Sequence, residues 1–186
     1  MPRVAIIVPL KRFDVAKERL RSAGTTDVTA LAEQLAIEVI ARSAPRHVIV
    51  LSESDEISAF AKQHGAEVWR SNARTLNEAV QGAYDALGDR FERLFVVHGD
   101  LRRPDGLGAF EPTSTVTIVT DHHGSGTNVL IVPTGEDFHF TYGIDSALRH
   151  QREAERLGLD FDVIVDSPWR FDVDEPEDLE IHPDSI

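Results

Sequence analysis

Cysteine is absent from this 186-residue sequence, and lysine nearly so, with three lysines beside sixteen arginines. Without a thiol there is no disulfide framework, no thiolate zinc site and no cysteine nucleophile. Long apolar runs are missing too. None approaches the roughly 20 residues that span a bilayer, and Met1-Pro2-Arg3 followed by Val4 to Leu10 is too short to read as a signal peptide. Bases are scarce, 19 against 32 acids for a formal charge of -13, and such a surface repels a nucleic-acid backbone. Neither G-x-x-x-x-G-K-[ST] nor G-x-G-x-x-G occurs, so a P-loop NTPase and a dinucleotide-binding Rossmann domain are unsupported. These exclusions leave one soluble, cytoplasmic domain over residues 1–186 that binds neither nucleic acid nor membrane. A phosphorylated small molecule stays admissible, because acids gathered in a cleft can hold divalent cations that invert the local charge.

What is present alternates. Val4 to Val8 is a short, almost wholly apolar run stopped by Pro9, the pattern of a strand buried on both faces of a parallel sheet. Leu31, Leu35, Val39 and Ile40 recur at helical spacing between Val28 and Arg42. His47 to Leu51 reads as a second strand, then Ser52 to His64 as a helix that Ser54 would cap and Gly65 end. Ala66 to Trp69 is a short third strand, Leu76 to Leu87 a helix, and Arg93 to Val97 another buried strand. Thr115 to Thr120 and Val129 to Val132 are joined by too few residues for a crossover helix, so an antiparallel or bent pair is expected. Ile144 to Leu157 is a last helix, Phe161 to Val165 a final strand, and an acidic tail follows. The alternation predicts an α/β/α three-layer sandwich with a mostly parallel, Rossmann-like sheet and one antiparallel element.

In an open parallel sheet ligands gather at the carboxyl ends of the strands. The loop after the first strand carries Lys11, Arg12, Lys17 and Arg19, a local concentration of base that suits a polyphosphate; the alternative is an exposed, charged helical turn. After the strand ending at Val97 stands Asp100, a metal-binding acid or a simple turn former. Asp172 and Asp174 lie two apart in an extended segment and so project to one side. With Asp100 they would suit Mg²⁺, against the alternative of an acidic surface. The small residues of Asp121 to Asn128 let backbone N–H groups approach an anion. His122 and His123, being adjacent, are expected to point apart and make no zinc site. Tyr142-Gly143-Ile144-Asp145-Ser146 opens the last helix, where Ser146 would meet an anion or where Asp145 or Ser146 would cap.

Taken in order, five segments resemble the guanylyltransferases of coenzyme F-420 biosynthesis, the 2-phospho-L-lactate or phosphoenolpyruvate guanylyltransferase family, a branch of the GT-A-like nucleotidyltransferases. They are Val8 to Leu20, Thr75 to Ala79, His98 to Leu101, His123 to Asn128, and Phe171 to Leu179. The resemblance implies transfer of GMP from GTP to the phosphate of a small phosphorylated carboxylic acid, with release of pyrophosphate and a downstream transferase that consumes the unstable product. It implies that Asp100, Asp172 and Asp174 hold Mg²⁺, that Lys11, Lys17 and Arg19 face the triphosphate, and that Leu76 and Asn77 lie near the nucleoside. The backbone at Thr127 and Gly143 and the side chain of Ser146 would receive the acceptor carboxylate. Phosphoenolpyruvate, 2-phospho-L-lactate and 3-phospho-D-glycerate are not separated by sequence, and a homo-oligomer is left open. Two segments depart from the family: Asp-Leu-Pro is here Asp100-Leu101-Arg102-Arg103-Pro104, and Gly-Leu-Asn is Thr75-Leu76-Asn77. Arg102 and Arg103 would then add a contact to the acceptor, and Thr75 would alter how closely the backbone meets the base. The competing readings are a nucleotidyltransferase acting on a sugar phosphate or a molybdopterin-type cofactor, and a non-catalytic nucleotide-binding regulatory module.

Overall fold

Each apolar run becomes a strand of one sheet, and the computed structural model describes this for residues 3–180. The strands are β1 (Val4–Pro9), β2 (His47–Ser52), β3 (Glu67–Arg70), β4 (Arg93–Val97), β5 (Val116–Thr120), β6 (Thr127–Pro133) and β7 (Phe161–Ile164). They lie in the order β3-β2-β1-β4-β6-β5-β7. Only β6 runs against its neighbours: it pairs antiparallel with both β4 and β5, and the remaining pairs are parallel. The expected antiparallel element is therefore one reversed strand, entered through a turn in which the Asp121 N–H donates to the Gly126 carbonyl at 3.1 Å.

Two faces of the sheet carry two cores, because successive strand residues point to opposite sides. Ile6, Val8, Val50 and Phe95 meet Ala36, Val39, Ile57 and Phe60 on one face. Those helical residues belong to α2 (Val28–Arg42) and α3 (Asp55–Gln63). Ala5, Ile7, Ile49 and Leu94 meet Val80, Leu87, Ala147 and Ala154 on the other, from α4 (Leu76–Leu87) and α5 (Ser146–Leu157). Both faces are covered, so the strands need no polar alternation, which is why they read as continuous apolar runs. Local chemistry sets the helix ends. The Ser54 hydroxyl accepts from the Ile57 N–H, and Gly65 takes φ +78° just past α3. At α4, Thr75 and Glu78 form a reciprocal capping box. One helix was not anticipated as an element: the five-residue α1 (Glu18–Ser22), inside the basic loop. The last helix starts at Ser146 rather than Ile144.

Candidate active site

The strand order reverses between β2-β1 and β4, and the crevice beyond the carboxyl ends of β1 and β4 is the natural ligand site of such a sheet. Gly99 shapes it. A Cβ there would fall 2.3 Å from Leu10 Cδ2 and 3.3 Å from Val8 Cγ1, so a larger residue would push the Leu10 side chain aside where the loop after β4 lies across the end of β1. Asp100 follows at once. Leu101 then forms an isolated antiparallel bridge with Asp172, and the Arg102 N–H donates to the Phe171 carbonyl at 2.8 Å. The end of the chain is thereby stitched to the middle of the sheet.

The acidic tail is held from several sides. Asn128, 2% exposed, donates through Nδ2 to the carbonyls of Trp169 (3.2 Å) and Arg170 (2.9 Å) and to Asp172 Oδ1 (3.3 Å). Buried Asp178 accepts through Oδ2 from the N–H groups of Asp174 (2.8 Å) and Glu175 (2.7 Å). Val173 packs inward with Leu20, Val28 and Leu35. This inward turn leaves Asp172 and Asp174 on the opposite side of the segment, as the strand period requires.

Lys17 completes the arrangement. It sits in the left-handed region, φ 59°, at the start of α1, with its side chain only 5% exposed. Its Nζ donates to Asp100 Oδ2, and to Asp174 Oδ1 at 2.8 Å. Burial alone would lower the ammonium pKa, but the two carboxylates outweigh it and hold the group above its usual range. Asp174 is drawn below the carboxylate range, since Lys17 overrides the effect of burial. Asp172 is pushed up to about 6, first by burial and then by the charges of Asp100 and Asp174. His98, Asp100 and Asp172 each offer a ligand atom, and these atoms lie within 4.8 Å of one another. Asp100 Oδ1 and His98 Nε2 are buried with no hydrogen-bond partner. A cation would satisfy both acids and the ring, so these residues fit a divalent metal.

Beside this cluster opens a cleft of about 470 Å³, bordered by Lys11, Lys17, Leu76, Asp100 and Asp174 among others. Lys11 is exposed there. Arg19 points elsewhere, to a 2.9 Å ion pair with Glu175, and Arg21 ties the loop down by donating to the carbonyls of Ala16 (2.9 Å) and Phe13 (2.6 Å). The basic loop is thus divided: Lys17 is buried in the acidic cluster, and its remaining cations lie at the surface or hold the loop. Leu76 borders the cleft, whereas the Asn77 amide donates to the Tyr142 carbonyl (3.1 Å) and accepts from its N–H (2.7 Å), pinning the segment before α5. Thr75 has an extended φ of -126° that needs no glycine, and the departure from the family pattern supplies the α4 cap. Arg102 donates to the carbonyls of Asp178 and Leu179, so that departure anchors the tail.

Thr127 and Ser146 are both 2% exposed. The Ser146 hydroxyl donates to Thr127 Oγ1 at 3.1 Å, and Thr127 Oγ1 lies 3.1 Å from His150 Nδ1. The Thr141 N–H donates to His150 Nε2 at 3.1 Å. Asp145 occupies the N-cap position of α5 in the left-handed region but makes no side-chain capping bond, and the Ser146 hydroxyl is turned to Thr127, so the expected side-chain cap is corrected. Gly143, at φ +120°, shapes the turn into the helix. His122 and His123 do not point apart: their ring centroids are 3.8 Å apart, and His122 stacks on Phe171 with its Nε2 3.6 Å from Asp178. Sequence reasoning missed His98, Asn128 and Asp178 as parts of the site. The available signal was their place inside the very segments that carried Asp100, Thr127 and Asp174.

A mostly parallel sheet with one reversed strand, opening on a lysine amid three aspartates at the point where the strand order turns, is an α/β fold of the GT-A-like kind. The fold is shared with a nucleotidyl transferase from Methanothermobacter thermautotrophicus, at a TM-score of 0.62 and 14% identity over 95% of this chain and 94% of that one. The chain belongs to the CofC-like guanylyl transferase family, whose profile matches residues 4–182. A phosphoenolpyruvate guanylyltransferase from Conexibacter woesei is 32% identical over 190 residues, 94% of this chain and 84% of that protein. A 3-phospho-D-glycerate guanylyltransferase from Colwellia psychrerythraea is 28% identical over 191 residues, 96% and 90% respectively.

Proposed function

We propose that this protein transfers GMP from GTP to the phosphate of a small phosphorylated carboxylic acid. A phosphate oxygen of the acceptor attacks the α-phosphorus, pyrophosphate leaves, and a diphosphate-linked guanosine conjugate remains. One observation carries the reading: buried Lys17 bridging Asp100 and Asp174 beside Asp172, at the rim of a cleft large enough for a nucleotide. The acceptor phosphate is ionised at neutral pH and needs no general base, so the work is alignment and charge neutralisation. Lys17 fixes two of the acids and brings positive charge to the crevice, while Lys11 offers a flexible cation at the cleft wall. A divalent cation at Asp100 and Asp172, Mg²⁺ being the usual partner of phosphates, would offset the charge of donor and acceptor together.

The acceptor carboxylate is assigned to the start of α5, where Gly143 and the Thr127–Ser146 hydroxyl pair lie at the positive end of the helix. A named relative for phosphoenolpyruvate and another for 3-phospho-D-glycerate support the class of acceptor, with phosphoenolpyruvate the first to test. The product is an acid-linked diphosphate, and a downstream transferase is proposed to consume it. The test is pyrophosphate release measured with GTP, ATP and CTP, each crossed with phosphoenolpyruvate, 2-phospho-L-lactate and 3-phospho-D-glycerate. Release that needs GTP and one of the acids is expected; no acid-dependent release with any nucleotide would sink the reading.

A further inference from the structure

We propose that His98 is a metal ligand in this chain, and that with Asp100 and Asp172 it forms a mixed imidazole and carboxylate site favouring Mn²⁺ over Mg²⁺. The inference rests on the reading above, that a divalent cation works at Asp100 and Asp172. Its ground is the way donor atoms are divided between Lys17 and the remaining space. Asp174 Oδ1 accepts from Lys17 at 2.8 Å, and Asp174 is not part of the group of residues whose ligand atoms lie within 4.8 Å of one another. That group is His98, Asp100 and Asp172. Asp100 gives Oδ2 to Lys17 and keeps Oδ1 buried without a partner. The Nε2 of His98 is buried and partnerless too. Two orphaned polar atoms beside a second acid are costly unless something electropositive joins them.

The ring is also held in place. The His98 backbone N–H fixes the residue by donating to the Asn128 carbonyl at 3.0 Å, and the imidazole packs on Tyr142 with centroids 5.6 Å apart. Asn128 is the same residue whose amide reaches Asp172, so one side chain and its backbone register two of the three donors. Charge agrees with a single divalent ion: three carboxylates less one lysine leave two negative charges to offset. Mg²⁺ is a hard ion that takes oxygen donors and keeps its waters, whereas imidazole suits first-row transition metals. Mn²⁺ accepts carboxylate, water and phosphate oxygens as Mg²⁺ does and also takes an imidazole nitrogen, which makes it the better match of the two to this donor set.

The experiment is pulsed electron paramagnetic resonance on the full chain loaded with Mn²⁺ in the absence of nucleotide, together with competition of Mg²⁺ against Mn²⁺. The expected spectrum shows ¹⁴N modulation from a directly bound imidazole in the wild type and none in His98→Phe, which keeps a ring against Tyr142 but cannot ligate. The preference for Mn²⁺ should fall at least about tenfold in that variant. Wild-type protein carrying ¹⁵N-histidine should show the ¹⁵N pattern instead, and this arm needs no variant to fold. Mn²⁺ that binds, is lost in Asp172→Ala and yet shows no nitrogen coupling overturns the proposal, as does coupling that survives His98→Phe. Failure of Mn²⁺ and Mg²⁺ alike to bind at any Asp172-dependent site would overturn the metal reading itself, and this inference with it.

Discussion

Lys17 is one residue with two duties, since it neutralises the part-buried Asp100 and the half-exposed Asp174 and presents positive charge at the crevice. Lys17→Met removes the charge but keeps most of the stem. It should lower turnover by about a hundredfold or more, the usual cost of deleting one preorganised charge-stabilising group, as read by steady-state pyrophosphate release. Unchanged turnover would remove Lys17 from the machinery. His150 yields a different prediction. Burial, and then the nearby His98, hold its imidazole down at about 4. In the unfolded chain the same ring takes a proton near 6.5, so between 6.5 and 4 the unfolded state binds more protons and stability falls as pH falls. The loss should approach about 3 kcal/mol by pH 4, and His150→Phe should flatten that limb in thermal unfolding measured across pH. An unaltered acid limb would show that His150 is not its source. At this scale the acids stood out because strand ends and the two-residue period mark them, although spacing alone left a metal site and an acidic surface both open until the family resemblance favoured the first. Their supports were not legible, since nothing local says that the amide of Asn128 reaches Asp172 or that Asp178 gathers the N–H groups of Asp174 and Glu175.

Elements were easier to read than contacts. The apolar runs of β1, β2 and β4 had one physical solution, burial on both faces, and the 3.6-residue period of α2 had one as well. Where the expectation slipped, competing backbone chemistry explains it. Gly143, Asp145 and Lys17 occupy positive φ, which delays α5 to Ser146 and opens α1 at Glu18. Thr75 illustrates how one position serves an element and a site together, because it caps α4 beside the cleft. Thr75→Ala should cost about 1 kcal/mol in chemical denaturation, and Thr75→Gly only a few tenths. An undiminished stability in Thr75→Ala would mean that the hydroxyl does not stabilise the helix start. Glu67 binds β3, the edge strand, through a two-pronged ion pair with Arg90 at 2.7 Å on each arm and a 2.7 Å contact to His47. Arg90, partly opposed by burial and then assisted by His47, lowers its carboxyl to about 2. That stability is present above the unfolded value near 4.5 and lost as pH falls toward 2; solvent screening limits it to about 1 kcal/mol.

Across the whole molecule the site is a closure of the chain upon itself. Lys17 follows the first strand, Asp100 the fourth, and Asp172 and Asp174 come after the last, so the cluster exists only when the final segment docks. The formal charge of -13 sharpens the point, because the tail brings further acids to a protein already rich in them. Docking must therefore be driven by something other than net charge. Val173 in its apolar pocket, Trp169 against Phe110 at 5.0 Å, the Asn128 amide and the Asp178 carboxylate supply it. Loss of one of these should loosen the tail more than the sheet, since among the described residues β1, β2 and β4 share no hydrogen bond with it. Asp178→Ala leaves two N–H groups without their acceptor at a buried position, a cost of about 1–3 kcal/mol, or a drop of several degrees in melting temperature for a chain of this size. Asp178 has no place among the proposed metal ligands, yet the variant should also bind divalent cation at least about tenfold more weakly, as supporting groups commonly do when removed. Melting followed by circular dichroism and Mn²⁺ titration on the same preparation check this. A variant that melts lower but binds cation as before would show that the tail's position does not depend on Asp178, and that the acids reach the crevice by the packing of Val173 and Trp169 alone.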